Sequence, residues 1–236
     1  MIERQAGAVR FNEMPIDLDR GAFSDFLAAL RSRVAAGDFA PAEFDEDDAE
    51  ETDAHGVVRR PLRRAAVALV LRGGAEGPEL LVIKRSEDER DHWSGHLALP
   101  GGSVEPEDAN LLATALRETF EEVGIDLRAG GEVLARLGTV RPQSPLAPRV
   151  SVTPFVVAAP PEYDAAAGDA KELQLSGEVA AAFWAPVEAL KRGGRSGVFR
   201  MTFAGVEREW PAYPSEHGLI WGITERILTE FLSLVD

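Results

Sequence analysis

No cysteine occurs anywhere in the chain. Its absence excludes disulfides, thiolate metal sites and a cysteine nucleophile, and fits a reducing cytoplasm. No run of about 18 apolar residues is present, so no membrane-spanning helix is expected and a soluble protein is. The first residues, Met1-Ile2-Glu3-Arg4-Gln5, lack a basic region followed by an apolar one, so no secretory signal is expected. Positive charge is scarce: 25 Lys and Arg stand against 40 Asp and Glu, for a net charge of -15. That field repels a polyanion, which argues against a nucleic acid polymer as partner. A phosphorylated small molecule remains compatible, through a local basic cluster and a metal. No internal repeat is found.

What is present suffices for one sizeable core with a small appendage: 236 residues, 45% of them hydrophobic. Asp19 is an N-cap candidate for a helix whose stripe is Phe23, Phe26, Leu27, Leu30 and Val34, with Gly37 as its stop. Glu43, Asp45, Glu46, Asp47, Asp48, Glu50, Glu51 and Asp53 follow. They lack the glycine turn and ligand spacing of a calcium loop and read as a solvated linker. Arg59, Arg60, Arg63 and Arg64 then reverse the charge; they can face that linker, meet substrate phosphates or simply be exposed. The pattern therefore divides into residues 1–61, a helix and acidic linker, and 62–236, a compact domain.

Within the domain, Ala65–Leu71 and Leu80–Ile83 read as a hairpin about Gly73–Pro78. Glu87–His96 reads as a polar loop, and Leu97–Leu99 leads into a Pro100-Gly101-Gly102 turn. Val133–Val140 and Val150–Ala158 read as strands around the proline-rich loop 141–149, with Pro154 pointing to an edge or a bulge. Leu173–Leu175 and Ala181–Trp184 are expected as short strands. Pro186–Leu190 reads as a short helix, and Phe199–Phe203 with Arg208–Tyr213 as a hairpin. A last helix from Gly218 carries the stripe Leu219, Ile223, Ile227, Phe231 and Leu234. Strand-rich halves about a central helix suggest a mixed sheet between helical layers.

That central helix carries the chemistry. Leu112, Ala115, Leu116, Thr119 and Val123 recur on one face, which suits packing on a sheet. Thr114, Arg117, Glu118 and Glu121 fall on the other side, with Glu122 at the flank. Glu118, Glu121 and Glu122 are spaced i, i+3, i+4, so three like charges converge within a turn and repel. A hard divalent cation with oxygen ligands relieves that repulsion. The other reading is a solvated acidic face.

Residues 99–125 resemble the Nudix box, G-x5-E-x7-R-E-U-x-E-E-x-G-U, where U is bulky and aliphatic. Gly102, Arg117-Glu118, Glu121-Glu122, Gly124 and Ile125 match it. Asp108 stands at the first Glu, eight residues rather than seven separate it from Arg117, and Thr119 replaces U. The resemblance implies an α/β/α sandwich and metal-dependent hydrolysis of a nucleoside diphosphate linked to another group. It implies Mg²⁺ or Mn²⁺ held by Glu118, Glu121 and Glu122, with the Gly102 carbonyl as a further ligand. Arg117 would orient a carboxylate. Glu118 and Glu178 are the candidates for general base, the latter also readable as a cap or surface residue. The partners implied are a nucleotide-type small molecule and, since dimers are common in the family, a second copy; no membrane is implied.

A longer stretch is similar to the coenzyme A diphosphatase branch, L-L-T-x-R-S-x3-R-x3-G-x3-F-P-G-G. Leu81, Arg85-Ser86, Arg90, Gly95 and Leu99-Pro100-Gly101-Gly102 match. The departures are one extra residue before Gly95, Leu99 for Phe and Ile83 for Thr. Val152-Thr153-Pro154-Phe155 and Ile220–Thr224 are similar to the same branch. The resemblance implies cleavage of coenzyme A or acyl-CoA to 3′,5′-ADP and a phosphopantetheine product. A general nucleoside-diphosphate-X hydrolase and a non-catalytic ligand sensor are the alternatives. Arg85 and Arg90 can clamp phosphate or pair with Glu87, Asp88 and Asp91; Arg141 and Arg149 flank the proline loop and can reach phosphate. His92 and His96 read as loop hydrogen-bonding groups rather than a zinc pair. Trp93 can stack on a base or pack in the loop.

Overall fold

The computed structural model describes residues 20–36, 63–87, 94–142, 149–203 and 206–235. Its centre is β1 (Arg63–Gly74), the apolar run expected as a buried strand. β1 returns through Ala75-Glu76 into β2 (Gly77–Arg85), with Leu71 opposite Leu80. β3 (Leu97–Ala98) pairs with β2, and β4 (Gly101–Ser103) with the start of β1. α2 (Leu111–Val123) follows, after the N-terminal α1 (Arg20–Ala35) in chain order. β5 (Glu132–Arg136) and β6 (Val150–Ala158) come next, β6 running parallel to β1 and antiparallel to β5. β7 (Val179–Pro186) pairs antiparallel with β2, completing a seven-stranded mixed sheet.

Strand alternation sorts the core into two faces. Ala66, Ala68, Val70, Leu81 and Ile83 pack with Ala115 and Val123 of α2. Leu69, Leu71, Leu80 and Val82 pack on the opposite face with α1 and with α4 (Gly222–Leu234). The protein is thus an α/β/α sandwich. α3 (Val187–Gly193) leads to a separate three-stranded sheet, β8 (Gly197–Phe203), β9 (Val206–Ser215) and β10 (Gly218–Trp221). Among the described residues no helix is long and apolar enough to cross a membrane.

The stripe on α1 lies on the core: Leu30 is 1% exposed, and Phe23, Phe26, Leu27 and Val34 pack around it. Arg31 grips Glu132 at the start of β5 with Nε at 2.8 Å, and Arg33 donates to the Leu234 carbonyl at 2.6 Å. Asp19 and the acidic stretch lie outside the described residues.

Several expectations are corrected. Gly101-Gly102 is not a turn but part of β4. A Cβ at Gly101, whose φ is 150°, would collide with the backbone of Ala66 and Val67, so the strand's close approach to β1 requires glycine. Pro154 is not at an edge, since β6 lies between β1 and β5. Its nitrogen falls where β5 leaves the ladder: Leu137 donates to the Pro154 carbonyl, and pairing resumes only at Val140 opposite Val152. Leu137 and Pro154 are thus bonded one way only, since proline has no N–H to return the bond. The strand expected over Val133–Val140 correspondingly stops at Arg136. Leu173–Leu175 is no strand; Gln174 and Ser176 donate instead to the Val123 and Glu122 carbonyls, both at 3.0 Å, closing the C-terminus of α2. Gly218–Trp221 is a strand, so Leu219 belongs to β10 and α4 starts at Gly222.

Because Leu30 is fully buried against the sheet, Leu30→Ala is expected to destabilise the protein by about 2–4 kcal/mol. Urea unfolding, with an unchanged slope and a lower midpoint, is the measurement.

Candidate functional site

The site grows from the junction of β4 and α2. Asn110 caps α2, its side-chain oxygen accepting from the Ala113 N–H at 2.8 Å. Gly124 ends it in the left-handed region at φ 74°, donating to the Phe120 carbonyl at 2.9 Å. Between these ends the apolar face sits on β1, which aims Glu118 and Glu122 at the glycines of β4. A Cβ at Gly102 would overlap the Glu118 carboxylate. Glu122 is 4% exposed and accepts from the Gly101 N–H at 2.9 Å.

The side of the helix opposite its apolar stripe is therefore partly buried. Thr114 and Glu122 are both in the interior, while Leu116 is only half-buried. Burial pushes the Glu122 carboxyl up to about 7; the Gly101 N–H opposes the shift, the Glu118 charge adds to it, Arg85 opposes it and Glu178 adds to it. Glu118 is also raised, mainly by burial and against the pull of Arg117.

Arg117 organises the acids around it. Its Nε and Nη2 bind both oxygens of Asp108, at 3.0 and 2.9 Å. Its Nη1 reaches Glu118 at 3.1 Å and Glu121 at 3.0 Å, and Nη2 also donates to the Ser103 carbonyl at 3.2 Å. The Asp108 side chain is 4% exposed and also accepts from the Thr114 hydroxyl and the Glu105 N–H, each at 2.9 Å. Arg117 above all holds this carboxyl far below the usual range. Sequence reasoning missed this role for Asp108 and Thr114. The available signal was a helix arginine facing inward, which needs a nearby acid, with Asp108 standing at the box's first acidic position.

The remaining candidates divide. Arg85 ends β2 two residues beyond Ile83, on the face that carries α2, and its charge acts on Glu122. Ser86 donates its N–H to the Glu178 carbonyl and its hydroxyl to the Gly177 carbonyl, both at 2.8 Å. That lacing holds Glu178, exposed in the turn before β7, near enough for its charge to act on Glu122. Arg141 is set apart. It follows Val140, three strand spacings from Gly102 across β1 and β6, or roughly 15 Å. It is exposed, and its carbonyl accepts from Arg226 at 2.5 Å. Arg149, Arg63 and Arg64 are exposed too. Arg59, Arg60, Arg90, His92 and Trp93 lie outside the described residues.

Among the described residues no three His, Cys, Asp or Glu side chains stand gathered as a metal cluster. Arg117 engages Glu118 and Glu121, and Glu122 turns to Gly101. The donor set nonetheless fits a hard divalent cation: it is all oxygen, lies against the glycine cradle of Gly102, and contains a buried carboxyl that a neighbouring cation would help to ionise.

Two stability predictions of opposite sign follow from these carboxyls. The depressed pKa of Asp108 contributes stability above the unfolded value near 3.8 that is lost as pH falls through the lower folded value. Asp108→Asn is expected to cost about 3 kcal/mol at pH 7 and to flatten the acid limb of a thermal-melt series. For Glu122 the folded value is raised, so stability falls as pH climbs from about 4.5 to about 7. Glu122→Gln keeps an acceptor for Gly101. In EDTA it is expected to stabilise the fold by about 2 kcal/mol at pH 8 and by almost nothing at pH 4.

Comparison with known proteins agrees with this geometry. The NUDIX domain family model matches residues 61–202. The chain is 34% identical over 169 residues to a protein named "Uncharacterized Nudix hydrolase NudL" from Enterobacter sp. (strain 638), covering 71% of this chain and 81% of that one. The protein of the same name from Cronobacter sakazakii is 34% identical, covering 71% and 80%. Among solved structures, the binary complex of the C. elegans Ap4A hydrolase aligns at 24% identity and a TM-score of 0.43, over 55% of this chain and 85% of that one. A MutT/nudix family protein from Enterococcus faecalis aligns at 16% identity and a TM-score of 0.44, over 98% and 76%. The chain belongs to the Nudix hydrolases, pyrophosphohydrolases that generally act on nucleoside diphosphates joined to another group and use divalent metals such as Mg²⁺ or Mn²⁺.

Proposed function

We propose that the chain hydrolyses coenzyme A or its acyl derivatives to 3′,5′-ADP and (acyl-)4′-phosphopantetheine. The observation that carries this reading is the position of Arg85. It is the arginine of the upstream signature, and it ends β2 on the α2 face with its charge acting on buried Glu122. A cation there suits the extra phosphate that distinguishes this substrate. In this reading residues 62–236 form the hydrolase unit, working in a reducing cytoplasm, and 1–61 are its extension.

Glu118, Glu121 and Glu122, with the Gly102 carbonyl, would hold Mg²⁺ or Mn²⁺. The bound ion would neutralise diphosphate charge and lower the pKa of water. Arg117 keeps Glu118 and Glu121 in place against their mutual repulsion, anchored by Asp108. A water adds to one phosphorus, the bridging oxygen leaves with the other, and a carboxylate takes the proton. Glu118 and Glu178 are the candidates to accept it. Arg85 binds the phosphates nearer the site, Arg90 is assigned to phosphate by the upstream signature alone, and Arg141 serves one about three strands away.

The test is a panel of coenzyme A, acetyl-CoA, ADP-ribose and nucleotide sugars, incubated with Mg²⁺ or Mn²⁺ and read by mass. Coenzyme A is expected to give 3′,5′-ADP. Turnover of ADP-ribose or nucleotide sugars with none of coenzyme A overturns the substrate in favour of a general nucleoside-diphosphate-X hydrolase. Glu121→Gln is expected to lower kcat by about 10²–10⁴-fold, and an unchanged rate would remove Glu121 from the mechanism.

A further inference from the structure

One ladder step beyond Arg85 lies a group of rings that the phosphate chemistry does not use. In the β2–β3 hairpin Arg85 donates its N–H to the His96 carbonyl at 3.0 Å, and Gly95 donates back to the Arg85 carbonyl at 3.2 Å. The His96 ring stands edge-on to Trp221 at 5.0 Å and to Phe199 at 5.7 Å. Phe199 is stacked on Trp221, 3.8 Å apart and 10° from parallel. Trp210 leans on both, 5.5 Å from Trp221 and 6.3 Å from Phe199.

The burial is uneven. Trp221 is 7% exposed and works as the inner layer, whereas Phe199 and Trp210 are only half-buried. Rings serving only to pack the small sheet onto β3 would gain by full burial; these keep aromatic area open to water. Trp184 is a contrast, since Arg72 sits over its ring at 4.2 Å. The position also suits a nucleotide. His96 lies five residues before Gly101, the partner of Glu122, a span of at most about 17 Å of chain. A ribose and a diphosphate bridge that scale.

We propose that Phe199 and Trp210, backed by Trp221 and His96, form the platform on which the purine base of the substrate stacks, with Arg85 between base and diphosphate. This rests on the reading above for the identity of the nucleotide, but not for the stacking. Phe199 and Trp210 are then specificity-determining residues for the base, supplied by the three-stranded sheet rather than by the Nudix box.

The experiment follows tryptophan fluorescence of the full chain with Mg²⁺ present. Adenosine 3′,5′-bisphosphate is expected to quench saturably, and so is adenosine alone at higher concentration, whereas ribose 5-phosphate is not. Phe199→Leu and Trp210→Leu are expected to weaken bisphosphate binding and to raise KM about tenfold or more at unchanged kcat, while Trp210→Phe stays near the parent value. Ribose 5-phosphate quenching as well as adenosine, or both Leu variants keeping the parent Kd and KM, overturns the platform. The wild-type comparison of adenosine with ribose 5-phosphate decides the matter even where a Leu variant does not fold. If coenzyme A is not cleaved yet ADP and adenosine still quench, the substrate reading fails and the platform stands. If coenzyme A is cleaved with the same KM in the ring variants, the platform fails and the substrate reading stands.

Discussion

The paired Arg117 and Asp108 side chains are what the site depends on. A guanidinium 17% exposed and a carboxylate 4% exposed meet through two parallel hydrogen bonds. Such a pair is costly to bury and much costlier to break, because the survivor is left charged and unpaired. Here the remaining donors are used as well. One arm holds the loop through Asp108, one holds β4 through the Ser103 carbonyl, and one spans Glu118 and Glu121. Loop, strand and helix are thereby tied to one cation. Arg117 offsets part of the negative charge of these carboxylates, and the remaining excess is what a divalent cation would balance.

Two acids within one helix and its leading loop end in opposite states. Asp108 gains an ionic partner and two further donor groups, so its charged form is stabilised. Glu122 gains burial and one backbone N–H, so its charged form is disfavoured. Residue type does not distinguish them; partner and solvent access do. The contrast also separates roles. Asp108 is already satisfied by the protein and holds structure, while Glu122 has a charge that still lacks a full counterpart.

Much of this was legible beforehand because it depends on period and spacing. The stripes on α1 and α2 and the β1–β2 hairpin follow from local pattern alone. What escaped depends on contacts between distant segments. On a helical wheel Thr114 falls opposite the apolar stripe and Glu122 at its flank, yet Asp108 and the glycines of β4 give them buried partners. Pro154 reads as an edge or a bulge residue, and only the break in β5 opposite it decides against the edge. Asp108 reads as a departure from a motif, and only the conformation of the loop shows that it reaches an arginine nine residues on. β10 and the closure of α2 by Gln174 and Ser176 were hidden for the same reason.

The parallel pairing of β1 with β6 has a kinetic side. Arg63 stands opposite Val150, and the register continues to Leu71 opposite Ala158. The two strands close a loop containing β2, β3, β4, α2 and β5, which must be gathered before the pairing returns any stabilisation. The carboxylates thus lie within the segment that this distant pairing closes, and the pairing of β2 with β7, Glu79 opposite Pro186, spans more of the chain still. Full burial of the α2 face, and with it the raised Glu122 carboxyl, belongs to the completed sheet rather than to any early local nucleus. The tuned site is thus a property of the whole sheet: α2 by itself leaves its acids in water, and they are buried only where the distant strands pair.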